Sequence, residues 1–428
     1  MPNRTIAPDI QGIDAVNIHQ PEQFTFRNGL TVCVFRAPEQ ELIRAEFVFN
    51  NIFEQPENPV RNTALSSMLK EGTSKRDSAQ IAETVDFYGA YLVPEFSFDH
   101  NALTLYTLRK HAEKVLPIVH ELLNDSVFPQ QELDTFVRNN KQNLQISLEK
   151  TDFVARRKFY QQLFGDTRYG GGVTGDLLDR LDRSDLLRLY GQQIQPKNGT
   201  LFLSGNITQE VLEIFRKLFE EQWENTTEIS ANAFKPVQHA TAEKSVWITK
   251  ESALQSSLRL GKVSIQRTHA DYPALQFVNT LLGGFFGSRL MNNIREDKGY
   301  TYGVGSVVAS LRHTGFLSIV TDVGCEHTDD TIHQIELEIK RLQEEKVTGS
   351  EIELVRNYML GSMLGSLESI FSHVDKFKSV YFSGLDLSYY RYYTEVIQGM
   401  DSDHLMKIAQ QYFNIDDLVK VVVGNGWK

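Results

Sequence analysis

The sequence predicts an α+β fold made of two homologous halves, each an antiparallel sheet with helices packed on it. Two observations carry this. The first is the order of patterns, which runs strands, helices, strands, then helices, and does so twice; strict βαβ alternation is absent. The second is recurrence. LSGN (Leu203–Asn206) answers VVGN (Val422–Asn425), the helix–turn–helix phrase SVFPQQELDTFVRN (Ser126–Asn139) answers KVTGSEIELVRN (Lys346–Asn357), and DFYGAYLV (Asp86–Val93) answers DKGYTYGV (Asp297–Val304). Spacings of 219, 218 and 211 residues indicate one duplicated unit.

In the first half, Phe24–Ala37 reads as a hairpin whose Asn28-Gly29 pair tolerates positive φ. Leu42–Asn50 alternates Ala45, Phe47 and Phe49 against Arg44, Glu46 and Val48, the pattern of a half-buried strand. Arg61–Glu71 is a helix with Leu65, Met68 and Leu69 on one face, stopped by Gly72. Asp77 caps a second helix, Ala79–Tyr88. Strands at Tyr91–Ser97 and Ala102–Leu108 lead to helices at Lys110–Asp125 and Gln130–Gly165, the latter interrupted near Asp152-Phe153. After the glycine-rich Gly170–Gly175 come helices over Leu177–Gln193, a strand at Thr200–Gly205 and a helix at Gln209–Gln222. The mixed, turn-rich stretch 225–241 reads as a linker between halves 1–224 and 242–428.

The second half has strands at Ser245–Lys250, Ser256–Ile265, Val307–Ser310, Thr314–Asp322 and Leu418–Val423. Its helices are Tyr272–Leu282, Thr328–Glu345 (with Ile332, Ile335, Ile339 and Leu342 in one stripe), Gly349–Ser366, Ile370–Tyr381, Leu387–Gly399 and Ser402–Phe413.

The composition is that of an ordinary globular protein of 428 residues. A formal charge of −11 argues against phosphate-backbone binding, so no nucleic-acid partner is expected. Cys33 and Cys325 are too few for a disulfide scaffold and read as buried reduced thiols. No apolar run is long enough for a membrane span and no signal-peptide core follows Arg4. The expected location is cytoplasmic, or periplasmic if a leader has been removed.

The phrases FTFRNGLTVCVFRAP, SSMLKEGTSKR, YGGGVTGD and SRLMNNIREDKGYTYGV, together with the duplicated layout, resemble the pitrilysin/insulinase metallopeptidase family, whose relatives include the processing-peptidase subunits and the bc1 core proteins. In its catalytic members a helix carries HxxEH: two histidines four apart share a helical face and bind zinc, and the glutamate activates the bound water. Anchoring on Met68 and Gly72-Thr73 puts Thr63, Ser66 and Ser67 at those three positions. The family's downstream glutamate ligand falls near Gln142-Asn143. Hydroxyls and amides replace neither imidazoles nor carboxylates, so the resemblance implies a chain that binds no zinc. His327 and His333, six apart, do not share a helical face and read as exposed residues at a helix start.

The family's second-half arginine and tyrosine, seven residues apart, match Arg295 and Tyr302. The resemblance implies a tyrosine hydroxyl donating to the oxyanion of peptide hydrolysis and an arginine holding a substrate carbonyl. The plain alternative is a surface ion pair with Glu296 or Asp297 and a strand-packing aromatic. Tyr300 departs from the family, where leucine is commoner. Gly283, Gly284 and Gly287 precede this segment; with no GxxxxGK[ST] they are not a phosphate loop, and a substrate-binding role is the expectation attached to them. The expected function is a zinc-less subunit that complements a homologous HxxEH-bearing partner in a heterodimer, closes the chamber over a peptide substrate and offers Arg295 and Tyr302. The alternatives are a non-catalytic scaffold of the core-protein kind and a peptide-binding homodimer.

Overall fold

The computed structural model describes residues 16–53, 59–226 and 243–425. The stretch read as a linker lies outside the described residues from 227 onward. The first half contains β1 (Glu22–Thr25), β2 (Thr31–Arg36), β3 (Leu42–Asn50), α1 (Pro59–Met68), α2 (Ser78–Phe87), β4 (Tyr91–Phe96), β5 (His100–Leu108), α3 (Ala112–Asp125), α4 (Gln130–Leu148), α5 (Thr151–Phe164), α6 (Gly175–Asp179), α7 (Arg183–Gln193), β6 (Gly199–Gly205) and α8 (Gln209–Arg216). The second contains β7 (Ser245–Thr249), β8 (Gln255–Ser264), α9 (Tyr272–Asn279), β9 (Val304–Ser310), β10 (Gly315–Gly324), α10 (Thr328–Glu344), α11 (Gly349–Gly365), α12 (Ile370–Tyr381), α13 (Ser388–Gly399), α14 (Ser402–Tyr412) and β11 (Val419–Gly424).

The two sheets repeat one topology. The first runs β1-β2-β6-β3-β5-β4 and the second β7-β11-β8-β10-β9. Apart from β1, each strand occupies the place of its counterpart. The pairing is antiparallel except for one parallel pair in each sheet, β2 with β6 and β7 with β11, because the last strand of each half returns from its helices beside the first. The recurrent phrases mark equivalent places. Arg138-Asn139 lies in α4 and Arg356-Asn357 in α11, while Gly89 and Gly299, both at positive φ (60° and 69°), turn the chain toward edge strands β4 and β9.

Local chemistry explains the elements. Gly29 takes φ 93° in the β1–β2 turn, where Phe26 N–H donates to Leu30 O at 2.9 Å. Asp77 and Gln80 form a reciprocal capping box on α2. The break in the long helical stretch falls at Glu149-Lys150, three residues earlier than expected, and α5 restarts at Thr151.

One expectation fails instructively. β3 is buried on both faces along nearly its whole length. Ala45, Phe47 and Phe49 enter the main first-half core with Val32, Val34, Leu201 and Leu203. On the opposite face Cys33, Phe35, Val48 and Phe202 pack against Ile370, Val374 and Phe377 of α12, a helix of the second half. The exchange is reciprocal: Ala155, Phe159, Leu163 and Phe164 of α5, a first-half helix, pack on Val246, Phe316, Val421 and Val423 of the second sheet. Each half thus covers the outer face of the other's sheet, and strands that look half-exposed in sequence have two apolar faces.

The exchange carries a buried ion cluster. Arg44 Nη2 lies 2.6 Å from Glu46 Oε2 and 2.8 Å from Asp375 Oδ1, and Lys378 Nζ reaches both Glu46 oxygens at 2.6 and 2.8 Å. The cysteines differ in setting: Cys33 is fully buried, which pushes its thiol up to about 12, while Cys325 is only partly buried and lies 3.5 Å from Ala253 O.

Candidate functional site

Thr63, Ser66 and Ser67 stand on α1, which packs on β4, β5, α4 and α7. Thr63 Oγ1 donates to Pro59 O at 2.9 Å, closing the hydroxyl onto its own helix, and Ser66 is buried. Gln142 and Asn143 lie exposed on the neighbouring α4. α1 and α4 are in contact, and the side chains expected at the family's metal positions offer only hydroxyls and amides. Zinc does not fit this set. Among the described residues no group of three or more His, Cys, Asp or Glu is placed to hold a metal ion. His327 stacks on Tyr300 at the start of α10, with ring centroids 4.0 Å apart and planes 8° apart, and His333 is exposed.

The second-half segment is built differently. From α9 the chain passes through a π-helical turn, Thr280–Gly284, and then a second one, Met291–Asp297. Met291 and Ile294 anchor the latter in the second core and leave Arg295 at the surface. The Arg295 guanidinium sits 4.5 Å from the centroid of Phe286 and its Nη1 donates to Glu296 Oε1 at 2.8 Å. Phe286 itself is largely exposed.

Tyr302 is 93% exposed, so it is not a strand-packing aromatic. Its backbone is nevertheless fixed on both sides. Thr301 Oγ1 donates to Asp322 O at 2.8 Å and accepts from Gly303 N at 3.1 Å, and Thr321 Oγ1 donates to Gly303 O at 3.1 Å. Tyr300, by contrast, is committed: its hydroxyl donates to Asp330 Oδ2 at 2.9 Å, and the hydrogen bond from Gln334, followed by this one, holds the Asp330 carboxyl down to about 2. Of the two tyrosines, Tyr302 presents a phenol to an incoming molecule.

Of the three glycines, Gly283 makes the close approach to another element. A Cβ on Gly283 would stand 2.7 Å from Ser306 Oγ and 2.9 Å from Ser306 N, so this glycine lets the π-turn approach β9. A Cβ on Gly287 would meet the Phe285 ring at 2.8 Å, and one on Gly284 would meet Thr280 Oγ1 at 3.2 Å.

Sequence reasoning missed how the edge of β9 is closed. Asn279 Nδ2 donates to Ser306 O at 3.2 Å, Gln276 Nε2 to Val308 O at 2.8 Å and Tyr272 OH to Val308 O at 3.3 Å. Side chains of α9 thus occupy the outward carbonyls of β9. The polar positions Asn279 and Gln276, three apart on an otherwise apolar helix, were the available signal.

Residues 180–359 match the family described as the peptidase M16 inactive domain. The chain is 23% identical over 416 residues to the uncharacterized zinc protease YmxG of Bacillus subtilis, covering 95% of this chain and 98% of that one. It is 22% identical over 368 residues to the non-peptidase homolog YmxG of Helicobacter pylori, covering 84% and 83%. The fold superposes with a TM-score of 0.86 on the peptidase M16 inactive domain from Pseudomonas fluorescens, at 21% identity and with coverage of 95% and 98%. It superposes with a TM-score of 0.78 on the periplasmic protease PqqL of Escherichia coli, at 14% identity, spanning 100% of this chain but 48% of that one. Residues 180–359 thus carry the M16 inactive-domain match, and the chain as a whole has the fold of M16-like structures and is similar in sequence to proteins named zinc proteases and a non-peptidase homolog.

Proposed function

We propose that this chain is the zinc-less, complementing subunit of a two-chain M16-type peptidase. The observation that carries the reading is Tyr302, an exposed phenol on a pinned backbone in a chain whose α1 has no metal donors. A homologous partner brings zinc and the HxxEH glutamate. This chain closes the chamber, Tyr302 donates a hydrogen bond to the developing oxyanion, and Arg295 leaves Glu296 to hold a substrate carbonyl. An extended peptide pairs along an open strand edge. The edge of β9 is covered by α9, and we assign the pairing to the edge strand β4, on which Tyr91 and Val93 are exposed. The division into halves 1–224 and 242–428 belongs to this reading, with the exchanged helices making them one chamber wall.

The partner is tested by sedimentation of the chain alone and mixed with an HxxEH-bearing homologue from the same host. A one-to-one complex that cleaves peptide, and loses cleavage with Arg295→Ala, supports the reading. A homodimer that ignores the homologue contradicts it. A second reading, a non-catalytic scaffold or peptide-binding homodimer, is favoured by the Arg295–Glu296 pair and the Phe286 contact, which give the arginine a structural occupation. It predicts no effect of Arg295→Ala on any peptidase activity. Among the described residues no helix is long and apolar enough to cross a membrane. We assign the chain to the cytoplasm, with the periplasm, where PqqL acts, as the alternative; cell fractionation separates the two.

A further inference from the structure

A cavity of about 620 Å³ lies between α9, α11, α12 and α13, outside the segment that carries Arg295 and Tyr302. Its volume is in the range of small-molecule sites. Tyr272, Tyr389 and Tyr393 form much of the wall, with Met359 and Met363 behind. Two cations face it, Arg267 and Lys376.

The charge around this cavity does not balance. Arg44, Lys378, Arg267 and Lys376 gather about α12, against the carboxylates of Glu46 and Asp375. Glu46 is taken by Arg44 and Lys378, and Asp375, although it lines the cavity, is paired with the same two residues at 2.8 and 3.2 Å. Arg267 donates to Ser379 O, a neutral carbonyl, and lies 5.9 Å from the Tyr389 ring centroid. Among the described residues no carboxylate pairs with Lys376 or Arg267. Burial, and then the Arg267 charge, lower the Lys376 ammonium below the usual lysine range. Two like charges beside one half-enclosed space, in a chain of net charge −11, call for a counter-ion.

We propose that this cavity binds a small oxyanion, a carboxylate or a phosphate carried on an aromatic or apolar body, with Lys376 and Arg267 as its counter-charges. The tyrosine faces and methionines take the body, and the hydroxyls of Ser362, Ser372, Tyr389 and Tyr393 supply further donors. The site adjoins the Arg295 segment. Tyr358, also in its wall, stacks on Phe285 with centroids 4.7 Å apart, next to the Phe286 that supports Arg295.

The test is calorimetric titration of the full chain with benzoate and with phenyl phosphate, which separate the two oxyanions, and with benzamide as the neutral counterpart. One-to-one binding of at least one anion is expected, with none of benzamide. Lys376→Met should weaken anion binding by at least about tenfold and raise the melting temperature of the free protein, since it removes an unpaired, half-buried charge. Lys376→Arg should keep the binding. Failure of both anions to bind, equal binding of benzamide, or unchanged affinity in Lys376→Met would overturn the proposal.

Discussion

Replacing Glu46 by Gln is the sharpest probe of how the halves hold together. Glu46 is 3% exposed and accepts from Arg44 at 2.6 Å and from Lys378 at 2.6 and 2.8 Å. The substitution keeps the volume but leaves two cations facing each other, with only the half-exposed Asp375 to answer them. Breaking a buried pair in this way costs about 3–5 kcal/mol, a large share of the roughly 5–15 kcal/mol that holds a typical protein folded. The reciprocal packing of α5 and α12 predicts that both halves unfold together. Unfolding entropy of about 2.1 cal/mol/K per residue gives roughly 0.9 kcal/mol/K for the whole chain, so the melting point should fall by about 3–6 °C in one transition. Independent halves would show two transitions, with only one falling, by about twice as much. Differential scanning calorimetry distinguishes the outcomes. A cost below about 1 kcal/mol, or two transitions, would refute the reasoning. The triple variant Arg44→Met, Glu46→Leu, Lys378→Met should recover most of the loss, because an apolar replacement leaves no charge stranded.

Two further outcomes follow from the same geometry. Gly283→Ala forces a methyl to within 2.9 Å of the β9 backbone at Ser306 and should cost about 1–3 kcal/mol in urea denaturation, whereas a phosphate-loop glycine would show its effect only on ligand binding. His100 is held down to about 4, against an ordinary 6.5, first by burial, with Arg312, His313 and Lys378 adding to the effect and Asp99 opposing it. The unfolded chain therefore takes up a proton below pH 6.5 that the folded chain refuses. Its contribution to stability is complete above 6.5 and is lost as pH falls toward 4. The loss between pH 7 and pH 5 should be about 2 kcal/mol, and His100→Gln should abolish that part of the slope of unfolding free energy against pH.

Most of the strands and helices were legible because their periods were clean. Leu42–Asn50 was placed to the residue, and the α10 stripe of Ile335, Ile339 and Leu342 is fully buried. What the sequence hid was contact at long range. Arg44 and Glu46 alternate with core residues as solvent-facing charges do, and their partners Asp375 and Lys378 lie more than 300 residues away on an exchanged helix. At the site, the hydroxyl side chains of Thr63, Ser66 and Ser67 could be read directly from residue type. The preference for Tyr302 over Tyr300 rested on spacing; in the structure Asp330 and His327 contact the first, and the second is exposed. The close approach of Gly283 to Ser306 was not legible either, because only the folded register of β9 reveals it.

The proposed role of Tyr302 is to act on a partner's reaction. The direct measurement is steady-state peptide cleavage by a one-to-one mixture of this chain with its HxxEH-bearing homologue, comparing wild type with Tyr302→Phe. Because the ring is exposed and only a hydroxyl is removed, stability should change by less than about 0.5 kcal/mol. The expected result is no cleavage by this chain alone, cleavage by the mixture, and a kcat lower by about 10²–10³ in the variant with KM little changed. Equal kcat for the two mixtures would contradict it.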